Sequence, residues 1–313
     1  TSSFRHWVTP DGGPGPGGEG GFPAEAGRYH LHVALICPWA SRTLIARKLK
    51  RLEATVTVSV VEPVLTEQGW RLGADQTVEG TAPAGATYLH EVYTAADPTY
   101  TGRATVPVLW DKRRRTIVNN ESADIVRMLN ASFKGLADDT VDLYPEELRP
   151  AIDALNEEIY QRLNNGVYRA GFATTQEAYE EAFRDVFGML DELERRLARG
   201  GFLHGARLTE TDVRLFVTLV RFDAAYHGLF KCNLRRLADY PNLTAYLRRM
   251  LAVPGVVVCG SSLTRLEQPT TATHNAAASR TRVVMFISSF PRWWFRRFRL
   301  IEWMCRPRQR CSR

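Results

Sequence analysis

Residues 28–53 read RYHLHVALICPWASRTLIARKLKRLE. Residues 29–36 alternate in part and then turn wholly apolar, the pattern of a buried strand. Beyond them Leu44, Ala46, Leu49 and Leu52 recur at helical spacing. Cys37 and Pro38 stand at the joint, and a proline suits a first helical turn, where its missing N–H costs no bond. The stretch therefore reads strand, cysteine, helix, with Cys37 at the helix N-terminus.

Working outward, VTVSVVEPVL (56–65) is a second strand rich in β-branched residues. Residues 66–102 read as a long irregular connection carrying Trp70, Tyr88, Tyr93 and Tyr100, of a length that is usually functional or disordered. VPVLWD (106–111) is a third strand entered through a Val-Pro bond, and TIV (116–118) a fourth after the basic turn 112–115. NNESADIVRMLN then opens a helix at about Ser122. The order β-α-β…β-β-α is the thioredoxin-like pattern. From Pro145 the texture is all-helical, in segments 148–168, 175–200, 209–230 and 242–251, each with apolar residues at i, i+3/i+4. Thr209 with Asp212 resembles a capping box, and Gly200-Gly201 and Pro254-Gly255 stop helices. The expected fold class is an α/β thioredoxin-like domain (28–140) followed by an all-α domain (145–256). A flexible Gly/Pro-rich extension (1–27) precedes them, and an atypical basic tail (257–313), expected as disordered, follows.

Composition narrows the classes of function. A chain of 313 residues favours two domains. No apolar run reaches the roughly 20 residues that cross a bilayer, and TSSFRHWVTP at the start lacks the pattern of a secretory signal. Five scattered cysteines without a CxxC give neither a disulfide framework nor a zinc site, so a reduced, cytoplasmic setting and no metal are expected. The net charge of +7 is concentrated: from residue 271 onward there are ten arginines and one acid, leaving 31 basic against 33 acidic residues elsewhere. Neither nucleic acid nor membrane is expected as a partner of the body of the protein.

The chemistry centres on Cys37. Only a thiolate is nucleophilic, and a helix N-terminus, with its unpaired N–H groups and partial positive charge, is one of the few ways to favour it without a histidine. Ala40 stands where a dithiol oxidoreductase would carry its resolving cysteine. A mixed disulfide on Cys37 must therefore be resolved by an external thiol, for which glutathione is the abundant candidate. The tripeptide needs an extended backbone edge, which a Val106-Pro107 strand entry can offer. Its γ-glutamyl end needs an acid and a helix N-terminus, which Glu121-Ser122 offers. Its glycyl carboxylate needs a cation such as Arg103. Alone, Glu121-Ser122 reads as plain capping; with Cys37 and Val106-Pro107 in this order, the functional reading takes precedence.

The residues resemble a known family, the glutathionyl-hydroquinone reductases, or xi class of glutathione transferases. The resemblance rests on FPAEAGRYHLHVALICPWASRTLIARKLKRLE, YTGRATVPVLWDKRRRTIVNNESADIVRMLN, LNNGVYRAGFATTQEAYEEAF and LTETDVRLFVTLVRFDAAYHGLFKCNLRRLADYPNL, spread over about 3–256. It implies a thioredoxin-like domain followed by an all-α glutathione-transferase C-terminal domain, and a homodimer. The implied reaction is reduction of glutathionyl-hydroquinones through a mixed disulfide, with glutathione as co-substrate and no metal. It implies Cys37 as nucleophile, Trp70, Arg103, Val106, Glu121 and Ser122 as the glutathione site, and Tyr168 and Tyr226 as the aromatic-substrate site. Relatives continue past the last matched helix with a Tyr-rich helix that supplies a further substrate-site tyrosine. Here tyrosine is absent after Tyr246 and an Arg/Trp/Cys/Ser-rich segment follows, which suggests a change of reading frame.

Plainer readings cover the other candidates. His30 and His32 share one face of the first strand and read as hydrogen-bonded structural residues. His227 and Cys232 have no partners at metal-ligand spacing, and Cys259, Cys305 and Cys311 read as bystanders. Two rival functions share the same scaffold: an omega-like thioltransferase or dehydroascorbate reductase using the same Cys37, and a non-catalytic interaction module, which has no need of a reactive thiol.

Overall fold

The computed structural model describes residues 2–17, 20–73 and 79–256. The tail 257–313, with its suggested frame change and disorder, lies outside the described residues.

Four strands form a mixed sheet in the order β2-β1-β5-β6: β1 (Tyr29–Val33), β2 (Val56–Val60), β5 (Val108–Asp111) and β6 (Thr116–Asn119). β1 runs parallel to β2, with Leu31 opposite Val58, and antiparallel to β5, with Leu31 opposite Leu109. Every residue of β1 is buried, the histidines His30 and His32 included, as a strand with neighbours on both sides requires. α1 (Pro38–Leu49) crosses from β1 to β2 and packs against α3 (Ser122–Ala131). This is the thioredoxin-like arrangement that the order of elements implied.

His30 and His32 are fully buried in the middle of this sheet. His30 Nδ1 meets Thr57 Oγ1 at 2.7 Å, and His32 Nε2 meets the Thr81 carbonyl oxygen at 2.8 Å. Burial, together with His32, Lys112 and Arg47, lowers the His30 pKa to about 2; burial lowers that of His32 to about 4. Both values lie below the unfolded reference of about 6.5, so the stability tied to the neutral rings is complete above that pH. It is lost as pH falls, down to about 4 for His32 and about 2 for His30. Between pH 7.5 and pH 5 the loss is about 2 kcal/mol per histidine. Urea unfolding at the two pH values measures it, and a flat unfolding free energy would refute the assignment.

The connection 66–102 departs from its irregular reading. It holds a short hairpin, β3 (Leu65–Thr66) with β4 (Gly69–Trp70), and a helix α2 (Leu89–Ala96) packed on β6. The helix buries Leu89, Val92 and Tyr93, and the Glu91 carboxylate accepts the N–H groups of Thr87 and Tyr88 at 2.7 Å each. Eight residues give too short a period to stand out.

The extension 1–27 also departs from its reading as a flexible coil. Val8 and Phe22 are buried, His6 N–H donates to the Val118 carbonyl at 3.0 Å, and Arg5 bridges Asn119. The segment lies along β6, whose outer edge otherwise carries unpaired backbone groups. Thr9 pairs with Phe22 and Ala24 across the Gly-rich loop, where Gly12 and Gly21 adopt positive φ.

The helical part comprises α4 (Arg149–Ile159), α5 (Gly166–Gly171), α6 (Gln176–Arg196), α7 (Glu210–Arg221), α8 (His227–Leu229) and α9 (Pro241–Ala252). Two of the helices anticipated as continuous are interrupted by π turns, Tyr160–Asn164 between α4 and α5 and Phe222–Tyr226 between α7 and α8. In the first, Asn165 N–H reaches back five residues to the Tyr160 carbonyl at 2.9 Å. Such bulges recur at functional sites because the extra residue re-aims the side chains that follow. Here Tyr168 follows one bulge and Tyr226 ends the other. α1 packs on α7, and this contact sets the cysteine against the helices.

Candidate active site

Cys37 is the N-cap of α1, in extended backbone conformation, with Pro38 as the first helical residue. Its N–H donates to the Ala34 carbonyl at 3.0 Å and its carbonyl accepts the Ser41 N–H at 3.0 Å. The thiol points at the Val106 carbonyl oxygen, 3.6 Å from Sγ, beside the cis Val106-Pro107 peptide. Burial pushes the Cys37 thiol pKa up. The N–H groups of Ala40 and Trp39 at the helix start pull it back, and so do the charges of Arg221 and Arg42. Burial prevails in the free protein, so the N-terminal position of the cysteine tempers the shift rather than reversing it.

Tyr168 and Tyr226 stand in the helical part, within range of the charge of this thiol. Their hydroxyls lie 3.5 Å apart, and their rings meet edge-to-face at 5.9 Å. Both phenols sense the charge of Cys37. Burial raises both pKa values, that of Tyr168 well above the ordinary phenol value, so both hydroxyls keep their protons at neutral pH. Phe230, 5.3 Å from each ring, and Trp39, stacked 6.4 Å from Tyr168, complete an aromatic wall.

Glu121 and Ser122 sit at the head of α3. Glu121 Oε1 accepts the Ala123 N–H at 3.3 Å as an N-cap, while its Oε2 accepts from the Ser2 hydroxyl at 2.9 Å. Ser122 is buried, and its hydroxyl lies 3.4 Å from Glu121 Oε1. Trp70 is half-buried in β4 opposite Leu65. Arg103 is exposed on the loop after α2, its carbonyl accepting the Tyr100 hydroxyl at 2.9 Å. Direct contact thus joins Cys37 to Val106 and Tyr168 to Tyr226, while Trp70 in β4 and Arg103 on the loop after α2 stand apart in the sequence.

Three residues beside Cys37 went unnoticed in the sequence: Ser41, Arg42 and Arg221. Arg42 is fully buried, stacked over Trp39 at 4.4 Å, and donates to Asn164 Oδ1 at 2.7 Å. Arg221 is buried at the end of α7. Its trace in the sequence is a lone cation inside the apolar run VTLVRF.

Residues 36–132 match the model of the glutathione S-transferase N-terminal domain, and 176–249 that of the glutathione S-transferase C-terminal domain. The chain is 55% identical over 232 residues to glutathionyl-hydroquinone reductase PcpF of Sphingobium chlorophenolicum, covering 74% of each protein. It is 52% identical over 263 residues to glutathionyl-hydroquinone reductase YqjG of Escherichia coli, covering 82% of this chain and 78% of that one. The glutathione-bound structure of YqjG superimposes with a TM-score of 0.77, covering 81% of this chain and 83% of that chain. The glutathione-S-transferase Xi of Phanerochaete chrysosporium, 46% identical, gives 0.75 over 82% of this chain and 86% of that chain. A two-domain fold, a cysteine at the first helix N-terminus and these similarities agree: the chain belongs to the glutathione S-transferase family, in its Xi class.

Proposed function

We propose that the protein reduces glutathionyl-hydroquinones to hydroquinones with glutathione as co-substrate. The observation that carries this reading is the pairing of a solitary helix-capping Cys37 with two protonated phenols, Tyr168 and Tyr226, across the thiol. Cys37, as thiolate, attacks the glutathione sulfur of the substrate. A sulfur–sulfur bond forms, and the carbon–sulfur bond breaks with its electron pair left on the ring carbon. That carbon takes a proton, for which the Tyr168 and Tyr226 hydroxyls are the candidate donors. A second glutathione thiolate then attacks the mixed disulfide, releasing oxidised glutathione and Cys37. With Ala40 in place of a second cysteine, no thiol stands where a dithiol oxidoreductase carries its resolving one.

Glutathione itself fits the groups around the thiol. The Val106 backbone offers an extended edge and Glu121-Ser122 an acid at a helix N-terminus for the γ-glutamyl end. Arg103 offers a cation for the glycyl carboxylate, and Trp70 a flat apolar wall. A homodimer and a cytoplasmic setting belong to the same proposal; among the described residues no helix is long and apolar enough to cross a membrane.

The test is turnover of a glutathionyl-hydroquinone with excess glutathione, beside dehydroascorbate as the rival substrate. Tyr168→Phe and Tyr226→Phe are each expected to lower kcat on the hydroquinone conjugate by about 10²-fold, in the range of a lost proton donor. Their reaction with a small glutathione mixed disulfide, which needs no protonated carbon, is expected to stay near wild type. Preference of the wild type for dehydroascorbate, or equal losses on both substrates in the Phe variants, would overturn the reading.

A further inference from the structure

Arg221 ends α7 in the helical part, yet its guanidinium reaches into the turn that carries Cys37. One Nη donates to the Val217 carbonyl within its own helix at 2.8 Å. The other donates to the Leu35 carbonyl at 3.0 Å and to Ser41 Oγ at 2.9 Å. Ser41 Oγ in turn donates to the carbonyl of Cys37 at 2.9 Å. The nucleophile's turn is thus held from both sides, two residues before the cysteine and four residues after it.

Two further facts separate this arginine from a plain structural tie. Its Nε is buried without a hydrogen-bond partner, a costly condition for a charged group. Among the described residues it also makes no ion pair, and neither does Arg42, the other buried guanidinium beside Cys37; their partners are carbonyl, amide and hydroxyl oxygens. Neither cation is paired directly with a carboxylate, although Glu121 and Glu210 act on Arg42 at longer range, and the charges of both reach the Cys37 thiol. The groups that face the thiol are Arg42 from α1, Arg221 from α7, Tyr168 from α5 and Tyr226 from the π turn. Both tyrosines are neutral when protonated, which leaves the thiolate as the one anion in this set.

We propose that Arg221 is the positioning residue of Cys37: it docks the 35–41 turn against the helical part and serves the thiolate as its buried counter-ion. Docking ties the attack geometry to the element that leads into Tyr226, so nucleophile and proton donor share one support. The fixed charge acts in a partly buried site, where water screens it less than at the surface. Arg42 adds a second charge but makes no hydrogen bond to the turn, being held by Asn164 and Trp39.

The experiment compares Arg221→Gln, which keeps a donor and loses the charge, with Arg221→Lys, which keeps the charge and loses the fork. In each, the pH dependence of Cys37 alkylation by iodoacetamide is followed by mass spectrometry of the Cys37 peptide, without glutathione or quinone. Arg221→Gln is expected to raise the midpoint by about one unit, slowing alkylation at pH 7 about tenfold. Arg221→Lys is expected to keep the wild-type midpoint and to lose kcat several-fold at unchanged KM and melting temperature. A wild-type midpoint in folded Arg221→Gln overturns the counter-ion role. Wild-type kcat in Arg221→Lys overturns the docking role, and it decides that role even if the Gln variant does not fold. Only the turnover arm rests on the proposed function. If the wild type turns over no glutathionyl-hydroquinone, that function falls, while the alkylation midpoints still judge Arg221.

Discussion

Replacing Cys37 with Ala is expected to lower glutathionyl-hydroquinone turnover by about 10⁴-fold or more, the scale of losing a nucleophile. Serine is expected to do no better, because an oxygen nucleophile cannot form the sulfur–sulfur bond that the reaction requires. The loss is expected without a loss of fold. Cys37 is half-buried, and its thiol makes one long contact, 3.6 Å to the Val106 carbonyl, so truncation should cost about 1 kcal/mol or less. Glutathione is expected to bind both variants, since Val106, Glu121 and Ser122 are untouched. Chromatography of hydroquinone and oxidised glutathione measures the turnover, and thermal melts without and with glutathione measure the fold and the binding. Turnover in the Ala variant within tenfold of wild type would remove Cys37 from the chemistry. A second outcome tests the solitary thiol: wild-type protein given the conjugate without free glutathione should stop after one turnover as a mixed disulfide on Cys37.

The reason this centre is legible in the sequence is that its parts are local. A buried strand, a cysteine and a helix-opening proline occupy consecutive positions, so the order of residues gives the geometry of Cys37. The capping box is equally local: Asp212 Oδ2 accepts the Thr209 N–H at 2.9 Å, three residues away. Elements fixed by long-range contacts were not legible. Residues 1–27 read as a linker because their glycines and prolines give no period, and what Arg5 and His6 pair with is the free edge of β6, about 110 residues downstream. The helix α2 is concealed by its length, and the π turns by periodicity that continues on either side of the inserted residue. Arg221 shows the same limit within the site. A cation in an apolar run marks something unusual, but the Leu35 carbonyl and Ser41 lie more than 170 positions away in sequence.

The same dependence on distant contacts makes Glu210 the position where a conservative change should cost most stability. Glu210 opens α7 and is buried, with 1% of its side chain exposed. Its Oε1 accepts from Arg127 Nη2 at 2.9 Å, Asn156 Nδ2 at 2.8 Å and Arg214 Nη2 at 3.0 Å. Arg127 belongs to α3, Asn156 to α4 and Arg214 to α7, so a single carboxylate joins the thioredoxin-like part to two helices of the other. Arg127 is held further by Asp153 and by the Tyr144 ring 3.9 Å beneath it. Glu210→Gln keeps the shape and removes the charge, leaving two guanidinium groups around an amide. Breaking one side of a buried ion pair costs about 3–5 kcal/mol. Arg127 is partly exposed and keeps Asp153, which places the expected cost near the lower end, about 3 kcal/mol, or a fall in melting temperature on the order of 10 °C. The double variant Glu210→Gln with Arg127→Met should lose less than the two single changes added, because the second change removes the charge that the first leaves unpaired. A single Gln variant melting within about 2 °C of wild type would show that the carboxylate is not what holds the two parts together. The loss should also reach the active site. α7 starts at Glu210 and ends at Arg221, so an α7 loosened at its first turn carries Arg221 away from the Cys37 turn. Below its melting temperature the Gln variant is therefore expected to show slower Cys37 alkylation at pH 7 than wild type.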